Sequence, residues 1–301
     1  MAEAEPPDPR RDLLLEGLPL TARVVEVGAS FRPLVPKSRG WNACVVDHDT
    51  KQGLVAKYAA AAVSPDAIED VDVIWREGPL HEAFPSADLG TFDAVVVSHV
   101  LEHMPDLLGF LDSVRRLVRD DGCLVFALPD KRWCFDFFRP HTLAGDVLQA
   151  HRERRVRHTP ATLFNEVAYS VTLRGQPGWF AGESAAELVF AHPPGRARQV
   201  FDAVCRPADV YRDAHAWQFT PASFELLILD LAASGGCDWR IDWVRPTAAV
   251  EFLGRLRPGD RVPDGEDLQR LRMEILRRMA REAMDQWKTI LDADVAVPRA
   301  A

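Results

Sequence analysis

The sequence predicts an α/β fold built around a mostly parallel, doubly wound sheet. Four short runs of Val, Leu and Ile and one alternating run lie between residues 21 and 130, and such runs are typical of strands that are buried on both faces. Helical segments separate some of these runs, which indicates alternating strands and helices. Sheets of this kind carry their functional sites at the carboxyl ends of the strands.

Five strands are predicted in the first half of the chain. They are ARVVEVG at 22–28, ACVVDHD at 43–49, DVDVIW at 70–75, FDAVVVSH at 92–99 and GCLVFALPD at 122–130. A helix is predicted over 105–122, because its apolar residues lie three or four apart and Gly122 can stop it.

The second half is predicted to interrupt the sheet and then to complete it. Thr220 and Pro221 begin a helix, two strand-like segments follow, and a last helix covers 265–291. The chain thus divides into a flexible leader at 1–20, a sheet domain at 21–132 and 213–258, an inserted α-rich cap at 133–212, and a linker with a C-terminal helix at 259–301.

Charge and cysteine content exclude several classes of protein. The 36 Lys and Arg against 45 Asp and Glu give a formal charge of −9, whereas nucleic-acid-binding proteins need a basic surface. The five cysteines show no CxxC spacing, so we expect no disulfide framework and no structural zinc site, and a cytoplasmic location fits. No apolar run reaches the roughly 20 residues that span a bilayer. The expected partner is a small molecule, and a homodimer through the last helix is left open.

The ends of the first two predicted strands have the residues of an adenosine site. Glu26 and Gly28 end the first strand, and Asp47 ends the second. A glycine turn lets a ligand approach the backbone, and a carboxylate about 20 residues later can accept two ribose hydroxyls. The dinucleotide pattern GxGxxG is absent, and Pro33 and Pro36 prevent a long helix after the turn. S-adenosylmethionine has no phosphate that needs such a helix, so it fits better. A plain strand–turn–strand is the alternative.

Longer segments carry a family resemblance. They are IEDVDVIW at 68–75, SHVLEHMPDL at 98–107 and PDKRWCFDFFRP at 129–140. Together they resemble class I S-adenosylmethionine-dependent methyltransferases, in particular a bacterial subgroup whose members often occur near glycosyltransferases. The resemblance is good over 21–140, moderate over 213–257 and poor in the inserted segment. It implies a Rossmann-like seven-stranded sheet whose last strand is antiparallel. It also implies S-adenosyl-L-methionine as cofactor and S-adenosyl-L-homocysteine as product.

The resemblance also implies which residues contact this cofactor. Glu26 and Gly28 would line its methionine end, and Asp47 would hold the ribose. The other implied contacts are His48 on the adenine, Trp75 and Glu77 at its border, and Ser98 and His99 beneath the methyl group. One departure is the turn Gly28-Ala29-Ser30-Phe31-Arg32, which stands where the family has Gly-x-Gly-x-Gly.

Two histidines are candidates for the general base. Methyl transfer is an in-line displacement, so the protein has to align the nucleophile and remove its proton. A neutral histidine suits that role near pH 7. We predict His103 or His215 as the base, with Asp130 orienting it. For His103, a purely structural role in its turn is the alternative.

Basic residues after the fifth strand are the candidates for substrate binding. Lys131, Arg132 and Arg139 would suit an anionic or polyhydroxyl acceptor, and a salt-bridged face is the alternative. No histidine pair has convincing ligand spacing, so no metal is expected. The sequence therefore predicts methyl transfer to an oxygen or nitrogen of a small-molecule or sugar-containing acceptor in bacterial biosynthesis. The alternatives are a non-methylating enzyme, such as a cyclase or decarboxylase, and a non-catalytic partner subunit.

Overall fold

Nine strands are present in a computed structural model that describes residues 8–61, 63–204, 211–259 and 262–291. They are β1 (Arg23–Val27), β2 (Asn42–Asp47), β3 (Val73–Ile74), β4 (Phe92–Ser98), β5 (Val118–Pro129), β6 (Val171–Leu173), β7 (Leu188–Phe190), β8 (Trp239–Pro246) and β9 (Glu251–Pro258). Seven of them form one sheet in the order β3-β2-β1-β4-β5-β9-β8, and β6 and β7 pair separately.

The seven-stranded sheet confirms the predicted Rossmann-like class. Strands β3, β2, β1, β4 and β5 run parallel, while β9 is antiparallel to both β5 and β8. Val24 and Val25 in β1 and Val95 and Val96 in β4 are fully buried. Successive residues of a strand point to opposite faces, so both faces of the sheet are covered and the strand sequences are apolar throughout.

Helices cover the two faces of the sheet. Those in the described residues are α1 (Pro9–Leu14), α2 (Lys51–Tyr58), α3 (Leu107–Leu117), α4 (Ala144–Arg152), α5 (Pro160–Tyr169), α6 (Arg196–Val204), α7 (Pro221–Ala233) and α8 (Gly265–Leu291). Apolar residues of α3, α4 and α7 form one core cluster with the sheet, and α1 contributes to the cluster on the other face. The side chain of Thr220 accepts a hydrogen bond from the backbone of Ser223 at the start of α7, as the sequence predicts.

The helix predicted over 105–122 ends earlier than expected. Helix α3 stops at Leu117, and Val118 is already extended and buried at the start of β5. Gly122 lies inside β5, where an added Cβ would stand 2.9 Å from the Cβ of Val118. The glycine therefore permits a close approach within the strand, and it does not stop the helix.

The predicted leader is in part a packed helix. Asp8 accepts hydrogen bonds from the backbone N–H groups of Arg10 and Arg11 and so caps α1. Leu14 is completely buried and Leu15 nearly so. The prediction of a flexible segment is therefore wrong for the described residues 8–20, because burial of these two leucines holds the helix on the sheet. Residues 1–7 lie outside the described residues.

The inserted segment has two parts. Val147 and Ala150 of α4 belong to the main core beside α3 and α7, so this helix is part of the sheet domain. Trp133 and Phe137 form a separate small core with Val171 and Leu173 of β6. The α-rich character of the insertion is confirmed. The predicted cap boundary does not hold for α4, which packs in the main core, and for the rest of the insertion it stays a prediction.

The C-terminal helix has the predicted bounds, 265–291. Ile275 is buried against Ala222 and Leu226 of α7, so the helix is docked on its own domain. None of the helices in the described parts of the chain is both long and apolar enough to cross a bilayer.

Candidate active site

The turn after β1 adopts the backbone conformation that the glycine signal indicates. Gly28 has φ +72°, and an added Cβ would stand 3.1 Å from a methyl carbon of Val100. Its N–H donates to the carbonyl oxygen of Val46 at 2.9 Å. Ser30 also has a positive φ, 50°, which is uncommon for a residue with a side chain. The turn is tight although only one of the family's three glycines is present.

Glu26 holds the loop that follows this turn. It is buried, and its carboxylate accepts hydrogen bonds from the backbone N–H groups of Leu34 at 2.6 Å and Val35 at 3.1 Å. Burial raises the pKa of Glu26 to about 7, even though these two hydrogen bonds act in the opposite direction. Both carboxylate oxygens are thus engaged with the loop, and the implied contact with the methionine end of the cofactor stays a prediction.

Asp47 lies at the end of β2 and faces the same turn. Its carboxylate accepts hydrogen bonds from the backbone N–H of Ser30 at 3.3 Å and from the backbone N–H of His48 at 2.7 Å, and the His48 ring nitrogen lies 2.6 Å away. Burial alone would raise the pKa of Asp47, but the hydrogen bonds from His48 and Ser30 outweigh it and lower the pKa. The structure therefore brings Gly28, Asp47 and His48 to one edge of the sheet with an ionised carboxylate among them.

The residues predicted at the adenine border lie further along this edge. The Trp75 ring NH donates to the carbonyl oxygen of Gly78 at 3.0 Å, and its ring packs near Phe110. Glu77 is exposed and forms an ion pair with Arg157 of the inserted segment at 3.0 Å. Trp75 thus packs near α3 at this edge of the sheet, and Glu77 is paired with a residue of the inserted segment.

Ser98 and His99 lie at the carboxyl end of β4 and contact residues that are distant in the sequence. The Arg10 guanidinium donates to the Ser98 hydroxyl at 2.7 Å and to Glu251 of β9 at 3.0 Å. His99 has φ +54°, and its Nε2 lies 2.8 Å from a Glu251 carboxylate oxygen. Sequence reasoning missed Arg10 and Glu251, because they are 241 residues apart and only the folded sheet brings them together.

A second polar cluster begins one turn after His99. Glu102 is 1% exposed, and neither of its carboxylate oxygens meets a hydrogen-bond donor among the described residues. Three imidazole nitrogens surround its Oε1: Nδ1 of His99 at 3.6 Å, Nε2 of His103 at 3.8 Å and Nε2 of His215 at 4.0 Å. Glu102 lies within SHVLEHMPDL at 98–107, one of the segments that carry the family resemblance. The sequence feature that could have identified Glu102 is a single acidic residue directly after the apolar Val100 and Leu101.

Each of the two candidate bases has a carboxylate on its other ring nitrogen. Nδ1 of His215 lies 2.5 Å from Asp136, and Nδ1 of His103 lies 2.9 Å from Asp213. The two rings meet edge to face with centroids 4.6 Å apart. Burial would lower the pKa of His103, but the contact with Asp213 and the charges of nearby carboxylates raise it to about 9. The structure therefore brings His103 and His215 together, 112 positions apart in the sequence, beside Glu102.

The prediction that Asp130 orients the base is wrong, because Asp136 lies on the ring nitrogen of His215 and Asp213 lies beside that of His103. Asp130 forms two hydrogen bonds with the Arg132 guanidinium, at 2.8 and 2.5 Å. It follows β5 directly and caps the short turn there, so its oxygens point along the turn. Asp136 lies one turn further and is held by Arg139 at 2.7 Å.

The three basic residues expected to bind substrate have internal partners. Lys131 is buried and donates to the carbonyl oxygen of Phe137 at 3.0 Å and to Gln286 of α8 at 3.3 Å. Burial lowers the pKa of Lys131 to about 8. Arg132 pairs with Asp130, and Arg139 pairs with Asp136 and donates to the carbonyl oxygen of His215 at 2.8 Å. The alternative of a salt-bridged face agrees with the ion pairs of Arg132 and Arg139, whereas Lys131 is held by a carbonyl oxygen and an amide, and substrate binding by the three residues stays a prediction.

A family model described as "Methyltransferase domain" matches residues 3–175, more than half of the chain. No curated protein matches the sequence.

Several solved structures are similar to this chain at low sequence identity. The PH0226 protein from Pyrococcus horikoshii is 15% identical with TM-score 0.40, and the match covers 82% of this chain and 86% of that one. A DhpI structure described as a SAM-HEP complex is 17% identical with TM-score 0.38, covering 83% and 85%. The trans-methyltransferase CalH in complex with SAH is 13% identical with TM-score 0.36, covering 79% of this chain but only 52% of that one.

Proposed function

Because this chain belongs to the methyltransferase domain family and is an S-adenosylmethionine-dependent methyltransferase, we propose that it methylates an oxygen or nitrogen of a small-molecule or sugar-containing acceptor. The observation that carries this proposal is the polar cluster of Glu102, His103 and His215 at the carboxyl end of the sheet. Hydroxyl and amine acceptors have to lose a proton on methylation, and this cluster offers groups that can draw the proton away.

The cofactor is assigned to the neighbouring edge formed by Gly28, Asp47, His48 and Trp75. The sulfonium leaving group is already activated, so the work of the protein is to hold donor and acceptor in line. The positive φ of Gly28 sets the backbone of the turn that lies beside Asp47. The ionised Asp47 carboxylate is suited to accept hydrogen bonds from the ribose hydroxyls. Ser98 and His99 come shortly before Glu102 in the sequence. In this proposal they lie beneath the methyl group of the cofactor.

A cofactor titration tests the assignment of Asp47. We expect calorimetric titration of the purified full chain with S-adenosylmethionine and S-adenosylhomocysteine to give saturable binding. Asp47→Asn keeps an oxygen for the Ser30 N–H but loses the charge, and Asp47→Ala loses both. Loss of charge-assisted hydrogen bonds should weaken both ligands roughly 10–100-fold.

The matched control is Asp264→Ala, because Asp264 is an exposed aspartate outside the site. It should bind like the wild type. Thermal melting establishes that each variant is folded. Equal affinity of wild type and both Asp47 variants would remove the ribose assignment, and absence of binding by folded wild type would remove the whole proposal.

Release of S-adenosylhomocysteine identifies the acceptor class. We expect stoichiometric release with phenols, sugars or amines from a screen, and the methylated atom can then be read from the product. Product formation without S-adenosylhomocysteine would instead indicate a cyclase or decarboxylase. Bacterial biosynthesis as the setting and the cytoplasm as the location stay predictions, the second resting on the cysteine pattern.

A further inference from the structure

We propose that Glu102, His103 and His215 bind a divalent metal ion of the zinc type, which holds the acceptor oxygen for methylation. The binding of the ion stands on the geometry of these three residues alone. Its role toward the acceptor rests on the proposed function.

The three side chains converge on one point. One ligand atom from each of them lies within 4.8 Å of the other two. Glu102 Oε1 stands 3.8 Å from the Nε2 of His103 and 4.0 Å from the Nε2 of His215. Tetrahedral zinc at its usual bond lengths separates its ligand atoms by roughly 3.4 Å. Rotations that move each atom by less than about an ångström therefore close the shell.

Glu102 is the second, independent observation that points to a cation. It is 1% exposed, and both oxygens lack a hydrogen-bond donor among the described residues. A buried carboxylate without a hydrogen-bond donor is costly, and buried charges are generally hydrogen-bonded, paired at short distance or bound to metal. By contrast, the equally buried Glu26 has a backbone N–H on each oxygen. A metal ion bound between Glu102 Oε1 and the imidazole nitrogens around it would compensate the charge of this carboxylate, which no hydrogen-bond donor of the described residues does.

A hydrogen bond to Asp136 orients His215 for a metal, and a second carboxylate, that of Asp213, lies beside the corresponding nitrogen of His103. Asp136 lies 2.5 Å from Nδ1 of His215, and Asp213 lies 2.9 Å from Nδ1 of His103. Metal-binding histidines usually donate their second ring N–H to a carboxylate, which fixes the tautomer and makes the other nitrogen a better ligand. Here both Nε2 atoms face Glu102. Arg139 in turn donates a hydrogen bond to Asp136 at 2.7 Å, so the carboxylate that orients His215 is itself held in place.

The donor set favours zinc over magnesium or calcium. Two imidazoles and one carboxylate form a catalytic zinc set that leaves a fourth position open, whereas the hard cations prefer oxygen ligands. At the open position the ion would hold a hydroxyl oxygen and lower its pKa, so that the hydroxyl proton could pass to solvent water. The oxygen would then form its bond to the methyl carbon as the bond from that carbon to sulfur breaks and S-adenosylhomocysteine leaves. The acceptor class is then a hydroxyl-bearing molecule, and the two histidines act as ligands instead of free bases.

Metal titration of the full chain tests the proposal. The protein is stripped with a chelator, and Zn²⁺ alone is titrated by calorimetry while bound zinc is measured by elemental analysis. We expect about one zinc per wild-type chain. Glu102→Gln should weaken binding by more than the roughly 10–100-fold that loss of an outer partner costs. His192→Ala is the matched control, because His192 is an exposed histidine outside the cluster, and it should bind like the wild type.

A second variant keeps the test decisive if Glu102→Gln fails to fold. The Asp213 side chain is 67% exposed, so Asp213→Asn should leave the fold intact and weaken zinc roughly 10–100-fold. Wild-type protein that binds no zinc, or variants that bind it as tightly as wild type, would overturn the proposal. Bound zinc that changes neither the rate nor the acceptor range of methyl transfer would leave the metal site standing and overturn its role toward the acceptor. Cofactor binding is measured separately, so the failure of one proposal is distinguishable from that of the other.

Discussion

Ionisable residues at the carboxyl edge of the sheet mostly serve to fix backbone. Glu26 accepts two loop N–H groups, Asp47 accepts the Ser30 N–H, and Lys131 donates to the Phe137 carbonyl oxygen. Each contact fixes a turn that carries a neighbouring functional side chain. Glu102 is different because its carboxylate has no such partner, and for that reason it is the residue on which the metal proposal rests.

The raised pKa of Glu26 predicts a pH-dependent contribution to stability. Between the ordinary value of 4.5 and about 7, the folded protein holds a proton on Glu26 that the unfolded chain releases. The contribution of Glu26 to the free energy of unfolding therefore falls as the pH rises through this window. Relative to Glu26→Gln, the wild type should lose about 3 kcal/mol from pH 4.5 to pH 7.5, measured by denaturant unfolding at several pH values.

The control for this series is Glu266→Gln, because Glu266 is exposed on α8. Its stability difference from wild type should not follow the same pH window. A Glu26→Gln difference that stays constant between pH 4.5 and pH 7.5 would contradict the buried, protonated state.

At the scale of elements, helix α8 contacts the segment that carries Asp136. Its Gln286 receives a hydrogen bond from Lys131 and donates to the Phe137 carbonyl oxygen at 2.6 Å. Lys131 and Phe137 flank the turn that carries Asp136. The helix thus stabilises the segment that orients His215, although none of its own residues belongs to the candidate site.

The two faces of α8 should respond differently to truncation. Ile275 is 3% exposed and packs on α7, whereas Met273 is 51% exposed. Ile275→Ala should lower the free energy of unfolding by about 2–4 kcal/mol, because it leaves a cavity. Met273→Ala should change it by less than about 0.5 kcal/mol. Denaturant unfolding measures both, and equal effects would mean that α8 is not docked on α7.

At the scale of the whole molecule, the site depends on contacts between distant parts of the chain. Arg10 and Glu251 are 241 residues apart, Lys131 and Gln286 are 155 apart, and Asp136 and His215 are 79 apart. Such contacts form only after long loops have closed. We therefore expect the polar cluster around His215 to form only with the complete fold.

The outer face of α8 is the surface on which a homodimer would form. Met273, Leu276, Met284 and Leu291 are all exposed, and their spacing places them on one side of the helix, away from α7. If two copies pair there, light scattering at micromolar concentration should give twice the chain mass of 33.6 kDa. Met284→Glu should then give the chain mass, because a charge in an apolar interface is costly.

Arg281→Glu is the control for this substitution, because it also introduces a glutamate on an exposed part of α8 but lies off the apolar face. It should leave the mass unchanged. A wild-type protein with the mass of a single chain would remove the dimer from consideration.

The sequence alone determined the parallel strands of the sheet and the meeting of Gly28 and Asp47 at its edge, while the seven-stranded class followed from the family resemblance. Apolar runs specify buried strands, and the carboxyl ends of parallel strands meet at one edge. The ribose role of Asp47 stays a prediction. The bounds of α8 and the cap of α7 follow from local patterns. The end of α3 does not follow from a local pattern, because Val118 is buried in the sheet as the first residue of β5.

Only the tertiary structure decided which side chains of the second cluster meet. The sequence named His103 and His215 separately, assigned the orienting role to Asp130 and expected no metal. The fold pairs Asp130 with Arg132 and places Asp136 on His215. It also buries Glu102 between the two histidines without a donor of its own. Partner choice of this kind depends on how the inserted segment returns to the sheet, and no spacing along the chain encodes the distance between two residues that a long loop brings together.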